Sequence, residues 1–227
     1  MSRIIFGETY VTVIPEYECT GVHKHGMLHM FVGKGALTLN EEWRGRLIIL
    51  EQDVEHARPK GDLLFFMFVD PTSCFAEKLR KDFLKGGAVY ASDEEVPKAE
   101  LTEAGIKSFI RDYFGQESFL RRDNIDARIQ KILVNADQFR YLETRVSELA
   151  ALENYSESYL THLFKNETGV GLKQYLLLRR MEYVWRKIAA SASITEAAME
   201  AGFASPSHFS DTCRKLMGIS AADVLKR

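Results

Sequence analysis

The sequence predicts two domains, an all-β barrel or sandwich at the N-terminus and an all-α domain of paired helices at the C-terminus. Up to about residue 70, apolar residues occur in short β-branched and aromatic runs separated by turn signals. Helical spacing replaces this pattern from Thr102 onward, and a helix-pair pattern then occurs twice. We expect a β domain at residues 1–95, a helical linker at 96–125 and a helical domain at 126–227.

Composition is that of an ordinary globular protein. The chain of 227 residues is 46% hydrophobic and 27% charged, with a net charge of −2, which allows a sizeable core. No run of about 18 uncharged apolar residues occurs, and the first residues do not resemble a signal peptide, so we expect no membrane span and a cytoplasmic location. Cys19, Cys74 and Cys213 form no CxxC motif, which is typical of reduced thiols.

Four segments define the N-terminal elements. IIFGETYVTVI and RLIIL have the composition of strands, and GKG at 33–35 predicts a turn between them. LLFFMFV at 63–69 predicts a strand that is buried on both faces. FAEKLRKDFL at 75–84 predicts a helix that ends at Gly86-Gly87.

A further helix is predicted to follow Thr102, which is a good N-cap. Its apolar residues recur at helical spacing and form one stripe: Ile106, Phe109, Ile110, Tyr113 and Phe114. The stripe favours either a homodimer seam or packing against the β domain, and the sequence leaves both open.

The C-terminal half contains an internal repeat. SESYLTHLFKNETG at 156–169 aligns with SPSHFSDTCRKLMG at 205–218 at a single offset of 49 residues. Each follows a short apolar helix pattern (SELAAL; TEAAMEA), a brief turn and a serine suited to cap a helix. This predicts helix, tight turn and helix, twice. The segment at 173–188 predicts a rigid connecting helix with Arg179, Arg180, Arg186 and Lys187 on its outer side.

Residues 126–227 resemble the DNA-binding domain of AraC/XylS-type transcription regulators, which has two helix-turn-helix motifs. The resemblance rests on SELAAL, SYLTHLFKNETGVGLKQYL, the Arg180-Met181-Glu182 step, AGFASPSHFS and RKLMGIS. It implies that double-stranded DNA is bound through both second helices and their flanks. The implied residues are Ser156, Ser158, Thr161, His162, Lys165, Arg180, Ser205, Ser207, His208, Asp211, Arg214 and Lys215.

One of these positions departs from the family pattern. Asp211 lies where the family commonly has an arginine. An acid there repels phosphate, although it can accept a hydrogen bond from a cytosine amino group. The second motif is therefore expected to bind DNA weakly, or mainly through contacts with the DNA backbone.

HKHGMLH at 23–29 is the second notable motif. If it lies on a strand, His23, His25 and His29 share one face, and His56 can approach from a neighbouring strand. Several imidazoles in one cavity suit zinc, nickel or iron. The pattern is similar to the first cupin motif, with His29 in place of the acid, and His56 resembles the histidine of the second. The resemblance implies a cupin-like sensor domain. Its histidines hold a divalent metal, bind a small-molecule effector by hydrogen bonds, or are hydrogen-bonded polar groups of the core, and the sequence leaves these alternatives open.

The leading interpretation is a one-component transcription regulator, not an enzyme, that senses a small molecule or metal and binds DNA. Homodimerisation and a contact with RNA polymerase fit this interpretation. The alternative is a metal-dependent cupin enzyme with a helical appendage that uses the same four histidines. A third interpretation is a degenerate regulator that acts through a protein partner. No GxSxG, P-loop, HExxH or GxGxxG motif occurs.

Overall fold

The computed structural model describes residues 3–14, 21–117 and 120–217. The chain divides into two compact units. We call Met1–Arg122 with Cys213–Arg227 the β unit, and Asp123–Thr212 the helical unit. An antiparallel sheet forms most of the first and helices form the second, which confirms the predicted fold class. The exact domain limits given above stay predictions.

Within residues 3–14, 21–117 and 120–217, six strands form one antiparallel sheet in the order β1-β2-β5-β3-β4-β6. Their bounds are Arg3–Phe6 (β1), Tyr10–Ile14 (β2), Leu28–Leu39 (β3), Trp43–Leu50 (β4), Leu63–Val69 (β5) and Val89–Ser92 (β6). Strand β3 is central, and its His29 lies opposite Leu50 of β4 and Phe68 of β5. This register decides which side chains surround His29.

The predicted turn at GKG is wrong, because Gly33 to Gly35 lie inside β3. The pairing of β3 with both neighbours shifts register here, and a glycine within a strand commonly marks such a bulge. A Cβ atom on Gly33 would lie only 2.4 Å from the carbonyl oxygen of Gly35. The chain instead reverses at Asn40 and Glu41, whose φ angles of 50° and 61° are left-handed.

Alternation along the strands builds a separate core on each face of the sheet. On the first face, Leu28, Met30 and Val32 of β3 pack in the core that includes α2. On the second face, Phe31 packs with aromatic residues of β5. Residues 65 to 69 of β5 are all buried, as predicted for a strand covered on both sides.

Helices cover the first face. Helix α1 spans Cys74–Lys78 and continues as a π-helical segment, Leu79–Leu84, which ends at Lys85 rather than at the predicted glycine pair. Helix α2 spans Glu103–Phe114, and the hydroxyl of Thr102 caps it by accepting from the Gly105 backbone N–H at 3.0 Å.

The apolar stripe of α2 lies against the sheet. Its buried members are Ile106, Phe109, Ile110 and Phe114. The ring of Phe109 meets Phe65 of β5 edge-on, with 5.5 Å between centroids. Of the two predicted roles, packing inside the β unit is the one observed, and this face is not exposed to a second copy.

The chain that follows α2 is held on the end of the sheet. The backbone N–H of Cys74 donates to the Leu120 carbonyl, and that of Arg122 donates to the Thr72 carbonyl. Arg121 forms an ion pair with Asp70 between these two backbone contacts. The last segment of the β unit before the helical unit is therefore anchored by both backbone and charge.

The remaining helices are α3 Ala127–Asp137, α4 Val146–Leu152, α5 Glu157–Thr168, α6 Leu172–Ala189, α7 Ile194–Glu200 and α8 Pro206–Met217. The predicted helix pairs correspond to α4 with α5 and α7 with α8, and the predicted connector is α6. None of the helices in the described part of the chain has the length and apolar character needed to cross a bilayer.

Arg179 of α6 differs from the expectation that it lies on the outer side. It is only 9% exposed, and its guanidinium pairs with Asp137 of α3 and Glu182 of α6. Two carboxylates compensate the burial of this charge. Arg179 therefore connects helices and is not available to a partner.

Candidate functional site

Two helix pairs with matching caps form the first candidate site. The hydroxyl of Ser156 accepts from the Tyr159 backbone N–H at 3.2 Å, and that of Ser205 accepts from the His208 backbone N–H at 3.0 Å. These bonds satisfy donors that a helix start leaves unpaired. Both serines predicted as caps are confirmed in that role.

The turns inside the two pairs are related but not identical. Asn154 and Gly202 carry left-handed φ angles of 59° and 75° at equivalent points. The first turn covers residues 153–156 and the second covers 201–205, which makes the second one residue longer. Leu160 and Phe209 are fully buried at matching positions of the second helices.

The outer face of α5 presents three of the predicted DNA-binding residues. Ser158, His162 and Lys165 are exposed and lie three or four residues apart, on one side of the helix. Thr161 is half-buried, and its hydroxyl donates to the Glu157 carbonyl at 2.8 Å. A base contact by Thr161 would therefore use its methyl group, which suits the methyl of thymine.

Helix α8 exposes the equivalent set. Ser207, His208, Asp211, Arg214 and Lys215 are all exposed. The cap Ser205 is half-buried, and Pro206 occupies the first helical position, where proline removes no helical hydrogen bond.

A cleft of about 590 Å³ in the helical unit connects the two helix pairs. It brings together three predicted residues from separate elements, namely Thr161, Arg180 and His208. Its lining also includes Arg145 and Lys173, which sequence reasoning missed. Their positions in the sequence could have indicated them, because each lies within two residues of the start of a predicted helix.

Arg180 lies in the wall of this cleft. It is half-buried, and its guanidinium donates to the Thr144 carbonyl at 3.3 Å. Burial lowers the pKa of Arg180 from its ordinary value, although an arginine stays charged at neutral pH. A half-buried cation with only part of its donors used can bind an anion that enters the cleft.

The histidine cluster, consisting of His23, His25, His29 and His56, is the second candidate site. The expected continuous strand is absent, since only His29 lies on β3 and His23 pairs through its backbone with His56. The four residues nevertheless converge and are at most 7% exposed. The His29 Nδ1 atom lies 3.3 Å from His25 Nε2 and 2.8 Å from His56 Nε2.

Backbone carbonyls fix the tautomers of three of these rings. The Nδ1 atoms of His23, His25 and His56 lie 3.1, 3.1 and 2.8 Å from the carbonyl oxygens of Gly21, Met27 and Val54. A carbonyl oxygen only accepts, so each Nδ1 carries the proton. The Nε2 lone pairs of all three rings are therefore available to the cluster.

These lone pairs outnumber the donors that face them. His29 Nδ1–H can donate to His56 Nε2, which leaves His29 Nε2 as an acceptor. Among the described residues, the buried Nε2 atoms of His23 and His29 have no hydrogen-bond partner. A buried polar atom without a partner costs about 1–3 kcal/mol. The cluster is an acceptor-rich site that a cation would stabilise.

Burial also holds the imidazoles in their neutral form. It lowers the pKa of His56 to about 4 and, together with neighbouring histidines, lowers the pKa of His25 and His29 well below the ordinary value. Neutral imidazole is the form that binds a metal. One ring nitrogen from each of His23, His25 and His56 lies within 4.8 Å of the others, so these three residues could hold an ion.

Aromatic rings enclose the cluster, which the sequence did not indicate. The ring of Phe68 stacks on His29 with 4.6 Å between centroids and meets His25 edge-on at 4.9 Å. Phe31 lies 4.0 Å from His29 by the same measure. The site is therefore shielded from water on the side of the sheet.

Comparisons with known proteins agree with the helix-pair geometry. Residues 149–227 match the family model described as a helix-turn-helix domain. The protein named "Probable transcriptional regulator LumQ" of Photobacterium leiognathi is 29% identical over 96 residues, covering 41% of this chain and 39% of LumQ. The match thus spans about two fifths of that curated relative.

Solved structures with a similar fold include ToxT. ToxT from Vibrio cholerae O395 has a TM-score of 0.54 at 13% identity, covering 96% of this chain and 97% of ToxT. ToxT bound to (E)-4-(8-methylnaphthalen-1-yl)but-3-enoic acid has a TM-score of 0.50 at 12% identity, covering 95% and 97%. At these identities the likeness concerns the fold alone. The family match, the LumQ relative and the repeated capped helix pairs show that the C-terminal part of this chain is an AraC-type helix-turn-helix domain.

Proposed function

We propose that this protein is a transcription regulator that binds double-stranded DNA through both helix pairs. The observation that carries the proposal is the pair of exposed second helices, α5 and α8, on one repeated and capped scaffold. The start of the second helix of such a motif enters the major groove, while its flanks contact phosphates. LumQ, named as a regulator, supports the same reading.

Charge in the cleft supports an anionic partner. Among the described residues, Arg145, Lys173 and Arg180 line it together with one acid, Glu157. Residues from the first turns of α5, α6 and α8 also border it. The positive ends of helix dipoles and their unpaired N–H groups favour phosphate at such a place.

In this proposal the predicted residues have two kinds of role. His162 and Thr161 of α5, with His208 of α8, contact base edges. The phosphate contacts come from the capping serines and the basic side chains: Ser156, Ser205, Lys165, Arg180, Arg214 and Lys215. The remaining predicted positions, Ser158, Ser207 and Asp211, lie on the same exposed faces.

Selection of bound sequences from a random duplex pool at near-physiological salt tests the proposal without a known operator. Two enriched blocks about one helical turn apart are expected from two readers. A single block would restrict base reading to the first pair. Absence of any enrichment, with and without added zinc, would contradict DNA binding.

Two variants of α5 separate the proposed roles on the selected site. His162→Ala should lower affinity by roughly 1–3 kcal/mol at particular base pairs and relax the preference there. Lys165→Ala should weaken binding to all DNA sequences equally. It should also reduce the salt dependence of the binding affinity by the equivalent of about one phosphate contact. Sequence-independent losses in both variants would contradict base reading by His162.

The β unit acts in this proposal as the sensor, for a small molecule or a divalent metal such as zinc, nickel or iron. Its support is the enclosed histidine cluster, together with the fold shared with ToxT, which has been solved with a bound carboxylic acid. The alternative of a cupin enzyme leaves the helix-turn-helix domain unexplained. Homodimerisation, a contact with RNA polymerase and a cytoplasmic location stay predictions.

A further inference from the structure

We propose that the histidine cluster is a closed, four-nitrogen site for a single zinc-like ion. His23, His25 and His56 bind it through Nε2, and His29 binds it through Nδ1. The inference deepens the sensory role given to the cluster, and its regulatory meaning rests on that proposed function. Binding of the ion itself requires no DNA.

The first step is the donor inventory. The Nε2 lone pairs of His23, His25 and His56 lie close together in a buried space beside the His29 ring. The Nδ1–H of His29 is the donor directed at them, and it can donate to His56 Nε2. That one hydrogen bond does not satisfy the set, because His23 Nε2 has no partner in the described part of the chain. A metal ion accepts several lone pairs at once, which makes it the group that satisfies the cluster as built.

Two distances between the nitrogens can be compared with those of a tetrahedral site. Zn–N bonds of about 2.0–2.1 Å place neighbouring ligand nitrogens about 3.3–3.4 Å apart. His25 Nε2 and His29 Nδ1 are already 3.3 Å apart, whereas His29 Nδ1 and His56 Nε2, at 2.8 Å, must separate slightly. His23 must approach, because its ring nitrogen lies within 4.8 Å of those of His25 and His56 but the group of nitrogens within this distance does not include His29.

The surroundings orient the ligands as metal sites require. Carbonyls of Gly21, Met27 and Val54 receive the Nδ1–H groups of the three Nε2 ligands, the outer contacts that typically fix a ligating histidine. When His29 binds through Nδ1, its proton moves to Nε2, so the ring stays neutral and no proton is lost. The Phe66 ring, at 71° to His29 and 5.3 Å away, can receive that N–H on its face.

The ligand set also selects the ion. Four imidazoles without a carboxylate suit zinc and its neighbours and do not suit magnesium or calcium, which need oxygen ligands. Four protein ligands around zinc leave no position for a substrate, the arrangement of closed sites rather than catalytic ones. An ion held in this way would act as a signal or a structural tie.

Metal titration of the untagged, chelator-treated full chain tests the proposal. We expect calorimetry to give about one Zn²⁺ per chain and no binding of Mg²⁺. Co²⁺ should give the intense visible absorption of tetrahedral coordination. Absence of stoichiometric Zn²⁺ binding, or the weak absorption of six-coordinate Co²⁺, would overturn the closed site.

A variant tests the fourth ligand. His29→Phe removes the Nδ1 ligand but keeps an aromatic ring among Phe31, Phe66 and Phe68, and it should weaken Zn²⁺ binding by roughly 100-fold or more. The matched control is His162→Phe, on the exposed face of α5, which should bind as the unmodified chain does. Unchanged affinity in a folded His29→Phe variant refutes the four-nitrogen set. If that variant does not fold, the Co²⁺ spectrum of the unmodified chain decides.

The same preparation separates this inference from the regulator proposal. Metal binding is measured without DNA, and the duplex selection is repeated with chelator and with Zn²⁺. Selection that fails under both conditions while Zn²⁺ binds would contradict the regulator proposal and leave the metal site intact. Selection that succeeds while Zn²⁺ does not bind would contradict the metal site and leave the regulator proposal intact.

Discussion

Arg121 donates from Nη1 to the carboxylate of Asp70 over 3.0 Å, although the two residues are 51 positions apart in the chain. The Asp70 side chain is 1% exposed and that of Arg121 is 10% exposed. Asp70 also accepts from the backbone N–H and the hydroxyl of Thr72. The pair therefore closes a buried polar network where the β unit leads into the helical unit.

Arg121→Met should destabilise the β unit by roughly 3 kcal/mol, because it leaves a buried carboxylate without its cation. Urea unfolding followed by Trp43 fluorescence, in a Trp185→Phe background, measures the free energy of unfolding. The control is Lys34→Met, which breaks an exposed pair with Asp62 (side chains 59% and 66% exposed) and should cost no more than about 1 kcal/mol. Equal small losses would contradict the role of the buried pair.

Ser156→Ala should lower the stability of the helical unit by about 1 kcal/mol, because the Tyr159 backbone N–H loses its cap. Ser158→Ala, two residues later and exposed, should change stability by less than about 0.5 kcal/mol. Unfolding followed by Trp185 fluorescence in a Trp43→Phe background compares them. A loss of the same size in both variants would show that the cap contributes nothing.

Low pH should weaken the helical unit partly through Asp126. Hydrogen bonds from the Arg128 side chain and backbone lower the pKa of Asp126 to about 2. The stabilisation from this carboxylate is therefore complete at pH values above its pKa in the unfolded chain, about 4, and is lost as the pH falls toward 2. Asp126→Asn should flatten the pH dependence of unfolding in that interval, measured by Trp185 fluorescence. Asp123→Asn is the control, and an equal flattening there would contradict the assignment.

Asp211→Asn should strengthen DNA binding by the second helix pair, since it removes an exposed negative charge near phosphate. The gain should be similar for all sequences and should shrink as salt rises. Affinity for the selected duplex, measured over a salt series, checks this. Glu95→Gln, an exposed acid of the β unit, is the matched control. A loss of preference at one base pair in Asp211→Asn would instead reveal a cytosine contact.

Local sequence patterns predicted most of the fold. Thr102, Ser156 and Ser205 are caps in the structure because each serves the backbone N–H three residues later, a relation that sequence spacing contains. The strand at 63–69 was recognisable because burial on both faces leaves no polar positions. Such features depend on neighbours in the chain.

Features that depend on distant partners were not predictable. Arg179 reads as an exposed helix residue until Asp137, 42 positions away, is placed beside it. GKG at 33–35 has the composition of a turn, but β3 pairs with a strand on each side, and the pairing accommodates these residues as a bulge. The histidine cluster was predicted as a set, but the short contact between His29 Nδ1 and His56 Nε2 joins residues 27 positions apart, and only the fold brings them together.

The unequal turns of the two helix pairs have a consequence for direction. A dimer of identical readers has a two-fold axis and suits a palindrome, which looks the same from either end. Here Glu157 begins one reading helix, Pro206 begins the other, and the second turn is one residue longer. Under the proposed function, a chain with two different recognition helices in series recognises an asymmetric DNA site, whose two ends differ. Such a protein would bind in one orientation along a chromosome. Inverting its site would reverse the bound protein, so that the surface not in contact with DNA would no longer face the downstream gene.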